Sequence, residues 1–374
     1  MKFITAILKG VILLKKKLDM NTLKKKFDLN QWFKKPNKDN PEEKLDSKQE
    51  QQSSSIFLTI VRKEFTDYIR SWRIIILLVI ILLTCLGSLY TAIMTISDVI
   101  SESGNEAEEI AKDSYLFLKL FTVSDGTLPP FITFVSFLGP LLGIALGFDA
   151  VNSERNRGTL SRLMAQPIPR DYVLNAKFVA ALLINIILFF ALGLLVMAFG
   201  ILMIGIPPSA EEFLRIMAFL GLCSVYIAFW LNLSILFSVR FKQAATSALS
   251  GIAIWLFFSV FYSMIVNLIT RSVIRPDTAT DIADAIQKQE HVLTLLRLSP
   301  NYLFSESTTT LLSPTVRSLG PLSMEQTAGA IAGPLPLNQS LILIWPQLTG
   351  LIAATLICFA ISYILFMRQE IRPN

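Results

Sequence analysis

Side chains that could act as nucleophiles, bases or metal ligands are few and scattered in this sequence. There is one histidine, His291, which excludes a two-histidine metal site and a metalloprotease helix of the H-E-x-x-H type. The pair Glu211–Glu212, followed by Arg215, weakly resembles a paired-acid protease motif. That pair is predicted to lie in an external turn, without an intramembrane histidine. We therefore predict no catalytic residue, no metal site and no enzymatic activity in this chain.

Nucleotide binding and redox chemistry also lack their usual residues. No G-x-x-x-x-G-K-[ST] sequence occurs, so the chain has no P-loop to hold nucleotide phosphates. The three cysteines lie far apart in apolar windows without a C-x-x-C pair, which indicates neither a disulfide framework nor a zinc site. We predict that this chain binds no cofactor.

The most informative spacing of charged and apolar residues lies between Gly147 and Arg170. We predict a short helix from Val151 to Leu163, interrupted by Gly158 and bounded by Pro167. Such a helix between two membrane spans can dock in a groove of a soluble subunit and pass a push to both spans. A basic loop that obeys the positive-inside rule explains the same residues equally well.

The elements that must position this segment are predicted to be membrane helices. Hydrophobic residues make up 53% of the 374 residues and charged residues 17%, below the roughly 25% of soluble proteins. A helix needs about 20 apolar residues to cross a bilayer. The sequence therefore predicts an all-α integral membrane protein with six transmembrane helices, at about residues 74–96, 127–148, 178–204, 216–239, 243–270 and 342–367.

Lysine and arginine in the short connections predict the orientation of these spans. The basic connections are residues 152–177, the link Arg240–Lys242 and the C-terminal segment from Arg368. We predict that these face the cytoplasm, with both chain ends. The long segment from Arg271 to Leu341, between spans five and six, is then external. Apolar residues between charges from Asp281 to Leu298 predict an amphipathic surface helix there.

The first 55 residues are predicted to be a separate cytosolic head and linker, followed by a membrane domain over residues 56–374. The first 50 residues alone carry an excess of six positive charges, equal to the net charge of the whole chain. Nucleic acid is not expected as a partner because no basic stripe continues beyond the head. Lysine runs in the head fit the anionic surface of membrane lipid instead. Residues 37–55 are polar and charged with little apolar content, which predicts a linker.

The segment after the second span resembles the coupling-helix signature of the ABC-2 type permeases, the membrane subunits of one class of ABC exporter. That signature has an acidic residue, then G-T-L-x-x-L, P-x-x-R and a lysine in the next helix, here Lys177. The resemblance covers residues 56–374 and implies partner contacts at Glu154, Arg155, Gly158, Thr159, Leu160, Leu163, Pro167 and Arg170.

The stretch from Val61 to Arg73 is similar to the interfacial helix that precedes the first span in that family, with Arg62, Glu64, Arg70 and Arg73 as its charged residues. The long external segment loosely resembles the subfamily of the nitrous-oxide reductase maturation permease. The family implies a separate ATP-binding subunit that holds ATP and Mg²⁺, a second permease copy or similar chain, and a multi-pass protein of the cell membrane.

Two other functions stay open. The permease could transmit force to an extracytoplasmic partner protein instead of carrying cargo, because its external segment is large. It could also be an unpowered channel or scaffold. The second alternative is disfavoured, because no predicted span has a central charged residue of the kind that ion-coupled carriers keep in the membrane.

Overall fold

The computed structural model describes residues 41–103, 115–159, 165, 169–205, 207–273, 282–315 and 334–368. The chain divides into two compact units, residues 1–56 and residues 57–374. The described part of the first unit is helical. It is the beginning of helix α1, which spans Pro41–Arg70.

All regular structure in the described residues is helical, without a strand. Six helices are long and apolar enough to cross a membrane. The six predicted spans are therefore confirmed by length and composition. These helices are α2 (Trp72–Ser103), α4 (Phe131–Gly147), α6 (Arg170–Ile204), α7 (Ala210–Arg240), the continuous α8 (Ala244–Leu256) with a π-helix (Phe257–Phe261) and α9 (Tyr262–Val273), and α12 (Leu337–Arg368).

Several helix ends differ from the predicted ones for local reasons. Helix α6 begins eight residues earlier than the predicted span, directly after Pro169, with Asp171 in its first turn, where a carboxylate favours the helix dipole. It ends at Ile204 as predicted, because Gly205 adopts a positive φ of 79°. Helix α1 extends back to Pro41, through residues predicted to be a linker. Glutamate, lysine and glutamine in that stretch are good helix formers, which explains the helix.

Helix α7 is the centre of the bundle and packs mainly against α4 and α12. Two glycines of α4 allow this contact. A Cβ atom on Gly143 would lie 2.8 Å from the carbonyl oxygen of Ile227, and one on Gly147 would lie 2.8 Å from that of Leu231. Only glycine lets the two backbones approach this closely, as in other membrane helix pairs with small residues four apart.

Two short buried helices were not predicted. Helix α3 (Leu116–Thr122) buries five of its seven residues, although its sequence was assigned to an external connection. Helix α11 (Pro300–Leu312) packs against α7 and α12, in the segment predicted to carry only one surface helix. That predicted surface helix is present as α10 (Ile282–Leu296), close to the predicted range of residues 281–298.

The pair Glu211–Glu212 lies in the first turn of α7 and has a structural role in the described residues. Glu212 and Ser209 form a capping box, and Glu212 also accepts a hydrogen bond from the backbone N–H of Phe117. Arg215 is fully buried and bound to Glu211 at 2.9 Å. Its guanidinium also donates to the carbonyls of Leu311 and Leu335 and to the Ser340 hydroxyl. The two glutamates and Arg215 therefore join α3, α7, α11 and α12.

Candidate functional site

Three elements that carry predicted site residues meet at one end of the helix bundle. It is the end at which the basic connections lie. They are the last turns of α1, the short helix α5 (Asn152–Asn156) and the first turns of α6. Val61 of α1 packs against Ala176 and Ala180 of α6 in a small apolar cluster. Phe57 and Tyr172 add an edge-to-face aromatic contact with ring centroids 5.5 Å apart. Small residues on α6 thus let α1 lie against it.

A buried lysine joins these three elements by ion pairs. The Lys177 ammonium of α6 donates to Glu64 of α1 at 2.9 Å and to Glu154 of α5 at 2.8 Å. The Lys177 and Glu64 side chains are only 4% and 8% exposed, so both bonds form largely away from water. Lys63 continues the cluster, with its ammonium 2.9 Å from Glu64 and 3.6 Å from Asp67. We name Lys63, Glu64, Asp67, Glu154 and Lys177 the charged cluster.

The electrostatic environment of the charged cluster favours the charged forms of Glu64 and Lys63, which both lie on α1. Burial raises the pKa of Glu64, but the ammonium groups of Lys177 and Lys63 lower it more, so the net pKa lies below its ordinary value. Burial lowers the pKa of Lys63, but the bond to Glu64 raises it above its ordinary value. Glu64 is therefore an anion at neutral pH, and its loss would leave a buried cation with one fewer partner.

A second, more exposed ion pair lies beside the cluster and joins α2 to the end of α4. The Arg73 guanidinium is 2.5 Å from the Asp149 carboxylate and lies over the Phe148 ring, 5.1 Å from its centroid. The Arg73 side chain is 63% exposed, so solvent weakens this pair. Asp149 directly follows the second predicted span, residues 127–148, and the sequence indicates no other role for it.

The segment after α4 turns sharply, which gives α5 its position. The Ser238 hydroxyl of α7 accepts hydrogen bonds from the backbone N–H groups of Val151 and Asn152. Helix α5 ends at Asn156, and Gly158 follows with a φ of 68°, a conformation that favours glycine. Of the predicted helix from Val151 to Leu163, interrupted by Gly158, the described residues are helical at Asn152–Asn156 and at Thr159, and the chain leaves the helical region at Gly158, where the interruption was predicted.

The predicted partner contacts occupy different environments. Glu154 and Arg155 are partly exposed on α5, while Gly158, Thr159 and Arg170 are exposed. The Thr159 hydroxyl donates to the Glu154 carbonyl at 3.2 Å. Leu160, Leu163 and Pro167 lie outside the described residues. Among the predicted residues of the interfacial helix, Arg62, Arg70 and Arg73 are exposed, whereas Glu64 is buried in the charged cluster.

A polar cavity of about 470 Å³ opens between these elements. Its lining carries both charge signs, with Lys63, Arg73, Arg157 and Lys177 beside Glu64, Asp67, Asp149 and Glu154. Such a lining suits a protein segment that carries both charges more than a single small anion. Within the described residues, no group of three or more His, Cys, Asp or Glu side chains is placed to hold a metal ion.

The comparison with family models decides the family. Residues 58–371 match the model described as "ABC-2 family transporter protein". The chain belongs to the ABC-2 transporter family. The resemblance predicted from the coupling-helix signature is thereby confirmed, over nearly the whole range predicted from residue 56 onward. The family is one of transporter membrane proteins, which agrees with the prediction of a transport subunit.

Curated relatives of this ABC-2 protein agree with the predicted subfamily. It is 27% identical over 150 residues to a probable ABC transporter permease protein NosY of Pseudomonas aeruginosa, covering 38% of this chain and 52% of the relative. It is 25% identical over 150 residues to NosY of Stutzerimonas stutzeri, with 39% and 52% covered. An uncharacterized membrane protein YdbK of Bacillus subtilis is 27% identical over 103 residues, with 26% and 42% covered. The chain thus spans about half the length of the NosY relatives.

Proposed function

We propose that this chain is the permease subunit of an ATP-driven ABC exporter. The observation that carries the proposal is the bridge from Lys177 to both Glu154 and Glu64. It joins the predicted partner-binding segment, the helix before the first span and the start of the third span. A displacement of α5 would therefore be passed to α1 and α6 at once.

The proposed partner is a separate ATP-binding subunit that holds ATP and Mg²⁺ and docks on residues 154–170. Two permeases, either two copies of this chain or this chain and a similar one, would pair in the membrane. Closure of the partner subunits would push α5, and the charged cluster would convert that push into a tilt of α1 and α6. The exposed side chains of Arg157 and Thr159, with the partly exposed Arg155, offer a surface for docking.

The orientation belongs to the same proposal. Docking requires the end with α5 and the charged cluster to face the cytoplasm, with both chain ends on that side and α10 and α11 outside. The arginines and lysines near this end support the orientation through the positive-inside rule. Trp72 and Trp345 are 73% and 63% exposed, which suits rings at a membrane interface. We propose the cell membrane as the location.

The test is capture of the partner from cells that express the full chain with an affinity tag. We expect wild-type protein in mild detergent to copurify an ATP-binding subunit, identified by mass spectrometry. The double variant Gly158→Pro plus Glu154→Arg should lose it, because proline cannot adopt the positive φ of Gly158 and arginine reverses a charge on α5.

The matched control uses the other end of the molecule. Gly126 also has a positive φ, of 87°, with no neighbour within 4 Å of an added Cβ atom, and Asp125 beside it is exposed. Gly126→Pro plus Asp125→Arg should keep the partner. Size-exclusion profiles must match for all three proteins. If the wild type captures no ATP-binding subunit, or both double variants lose it equally, the proposed docking on residues 154–170 is wrong.

A second function, force transmission to an external protein, is supported by the packing of α11. This helix lies in the proposed external segment, yet it contacts α7 and α12 directly. Motion of the bundle would therefore move α10 and α11. Cargo flux in vesicles that contain the reconstituted complex distinguishes the two functions. ATP-dependent flux supports the exporter, whereas ATP-dependent change in the labelling of cysteines placed on α10, without flux, supports force transmission.

A further inference from the structure

A cavity of about 250 Å³ lies at the end of the bundle opposite the charged cluster. It is formed by α4, by the π-helix with the start of α9, by the end of α10 with the turn that follows it, and by the first turns of α11. A π-helix within a longer helix is uncommon and often occurs at functional sites. The residues that line the cavity are Thr133, Ser136, Phe137, Phe258, Ser259, Tyr262, Ser263, Leu296, Ser299, Asn301, Tyr302 and Ser305.

The described residues of the lining offer many hydrogen-bonding groups, and none of them is an ionisable acid or base of the Asp, Glu, Lys, Arg or His type. Eight hydroxyls and one amide face an apolar wall that includes Phe137 and Phe258. Burial of a full charge among such groups would be costly, because no opposite charge compensates it. Hydroxyls both donate and accept, so they match other hydroxyls well. The lining therefore fits an uncharged group that carries several hydroxyls and an apolar face.

One wall of the cavity is held by a chain of hydrogen bonds that leaves a donor free. The Asn301 side chain accepts from the Tyr226 hydroxyl at 2.8 Å and donates to the Ser259 hydroxyl oxygen. Tyr226 is itself fixed by stacking on Phe304, with centroids 4.2 Å apart. Because Ser259 accepts from Asn301, its own hydroxyl proton remains available to a ligand.

Ser299 provides a second observation that points to a ligand. It is 2% exposed, and its hydroxyl has no hydrogen-bond partner. It occupies the N-cap of α11, a helix of 13 residues, but its side chain does not cap that helix. An unsatisfied buried hydroxyl costs free energy unless something binds it. Both this hydroxyl and the uncapped first turn of α11 lie at the cavity.

We propose that this cavity binds the uncharged, hydroxyl-rich headgroup of a sugar or glycerol type. A lipid can supply such a headgroup because the lining residue Ser263 is exposed, and Phe257, Val260 and Phe261 on the same helix are 41%, 51% and 47% exposed. An acyl chain can lie along this apolar surface while its headgroup enters. The proposed site needs no ATP-binding partner, so a test of lipid binding at this cavity is independent of the proposed exporter function.

The test is native mass spectrometry of the full chain in a polyoxyethylene detergent, which carries no sugar. Three lipids with identical acyl chains are titrated: monoglucosyl diacylglycerol, diacylglycerol and phosphatidic acid. We expect the glucosyl lipid to bind about tenfold more tightly than either of the others, a ratio that two or three net hydrogen bonds supply. Competition with methyl glucoside distinguishes a free sugar from a lipid headgroup as the ligand of the cavity. Displacement of the lipid shows that the sugar alone suffices, and no displacement shows that the acyl chain contributes.

Two variants connect the binding to the cavity. Ser263→Leu fills the entrance from an exposed position, so the fold is kept, and it should abolish the preference for the glucosyl lipid. Ser299→Ala should reduce that preference several-fold. Thr349→Leu is the matched control, since it places a leucine at another exposed hydroxyl position, on α12 and outside the cavity. The proposal is overturned if the three lipids bind equally, if phosphatidic acid binds best, or if Ser263→Leu and Thr349→Leu behave alike.

Discussion

In the part of the chain that the structure describes, one buried cation lies near each end of the bundle, and the two are held in different ways. Arg215 is 0% exposed and is bound by one carboxylate, two backbone carbonyls and a hydroxyl. Lys177 is 4% exposed and is bound by two carboxylates, on α1 and α5, beside a polar cavity of about 470 Å³. Backbone carbonyls cannot change rotamer, whereas carboxylate side chains can.

This difference indicates different roles for the two ends. The bonds of Arg215 fix α7 to the loop before α12 and to the end of α11, and they leave no donor for another ligand in the described residues. The bonds of Lys177 run to two carboxylate side chains, so they can break and re-form if α5 moves. The first arrangement favours rigidity, and the second favours transmission of movement.

The largest effect on stability is expected for Arg215→Met. The substitution removes the five hydrogen bonds that the buried guanidinium donates, which should lower the free energy of unfolding by about 3–5 kcal/mol. Unfolding of the detergent-solubilised protein by denaturant measures it. Arg240→Met, at an exposed position on the same helix, is the control and should change little. Equal stability of the two variants would mean that the Arg215 bonds contribute nothing net.

A smaller effect on stability is expected for Lys177→Met. The substitution leaves Glu64 and Glu154 close together without their shared cation. The loss in the free energy of unfolding should be about 1–3 kcal/mol, smaller than for Arg215→Met, because Lys177 forms two hydrogen bonds whereas Arg215 forms five. The same unfolding experiment measures it, and Lys242→Met, at an exposed lysine, is the control.

Addition of Glu64→Gln to Lys177→Met should recover part of the lost stability, because it removes one of the two repelling charges. A double variant that is less stable than Lys177→Met alone would show that the carboxylates do not repel each other, and would contradict the described geometry. Loss of the ATP-binding partner by Lys177→Met at unchanged folding would support the role in transmission.

The smallest effect is a dependence on pH that Glu64 confers. Its pKa in the folded protein lies below the ordinary value of 4.5, so the folded state holds this proton less tightly than the unfolded state. The stabilisation is therefore complete above about pH 4.5 and is lost as the pH falls through the lower folded pKa. The difference in thermal midpoint between wild type and Glu64→Gln should be constant from pH 7 to 5 and shrink below.

Glu290→Gln, at an exposed carboxylate on α10, provides the baseline for that experiment. If the wild type and Glu64→Gln differ by the same amount at pH 3.5 as at pH 7, the Glu64 carboxylate does not stabilise the fold through its charge.

The spans and the motif residues could be predicted because both are local signals. Charge-free windows give the six long helices, and Glu154 and Lys177 follow from the coupling-helix signature. Their contact could not be predicted in the same way, since Lys177 meets Glu64 across 113 residues of sequence. For Asp149, the sequence indicates only that a membrane span ends before it, and not which residue it pairs with. Its partner Arg73 lies 76 residues away, on another helix.

The two missed helices show a different limit. Helix α3 has only seven residues, too few for a periodic pattern to stand out from a loop. Helix α11 is rich in serine and threonine, which are weak helix formers. Its stability comes from burial against α7 and α12, a tertiary effect that no local pattern contains. The cavity lined by hydroxyls was missed for the same reason, because its residues come from four separate elements.

The glycines of α4 restrict how the bundle can move. At Gly143 and Gly147 the nearest atoms of α7 are backbone atoms and the Cβ atoms of Trp230 and Ser234, whose positions do not change with the side-chain rotamer. We therefore expect helices α4 and α7 to move together in the membrane as one rigid body. In the proposed mechanism, a push on α5, which follows α4 in sequence, would therefore be passed along both helices to the far end of α7.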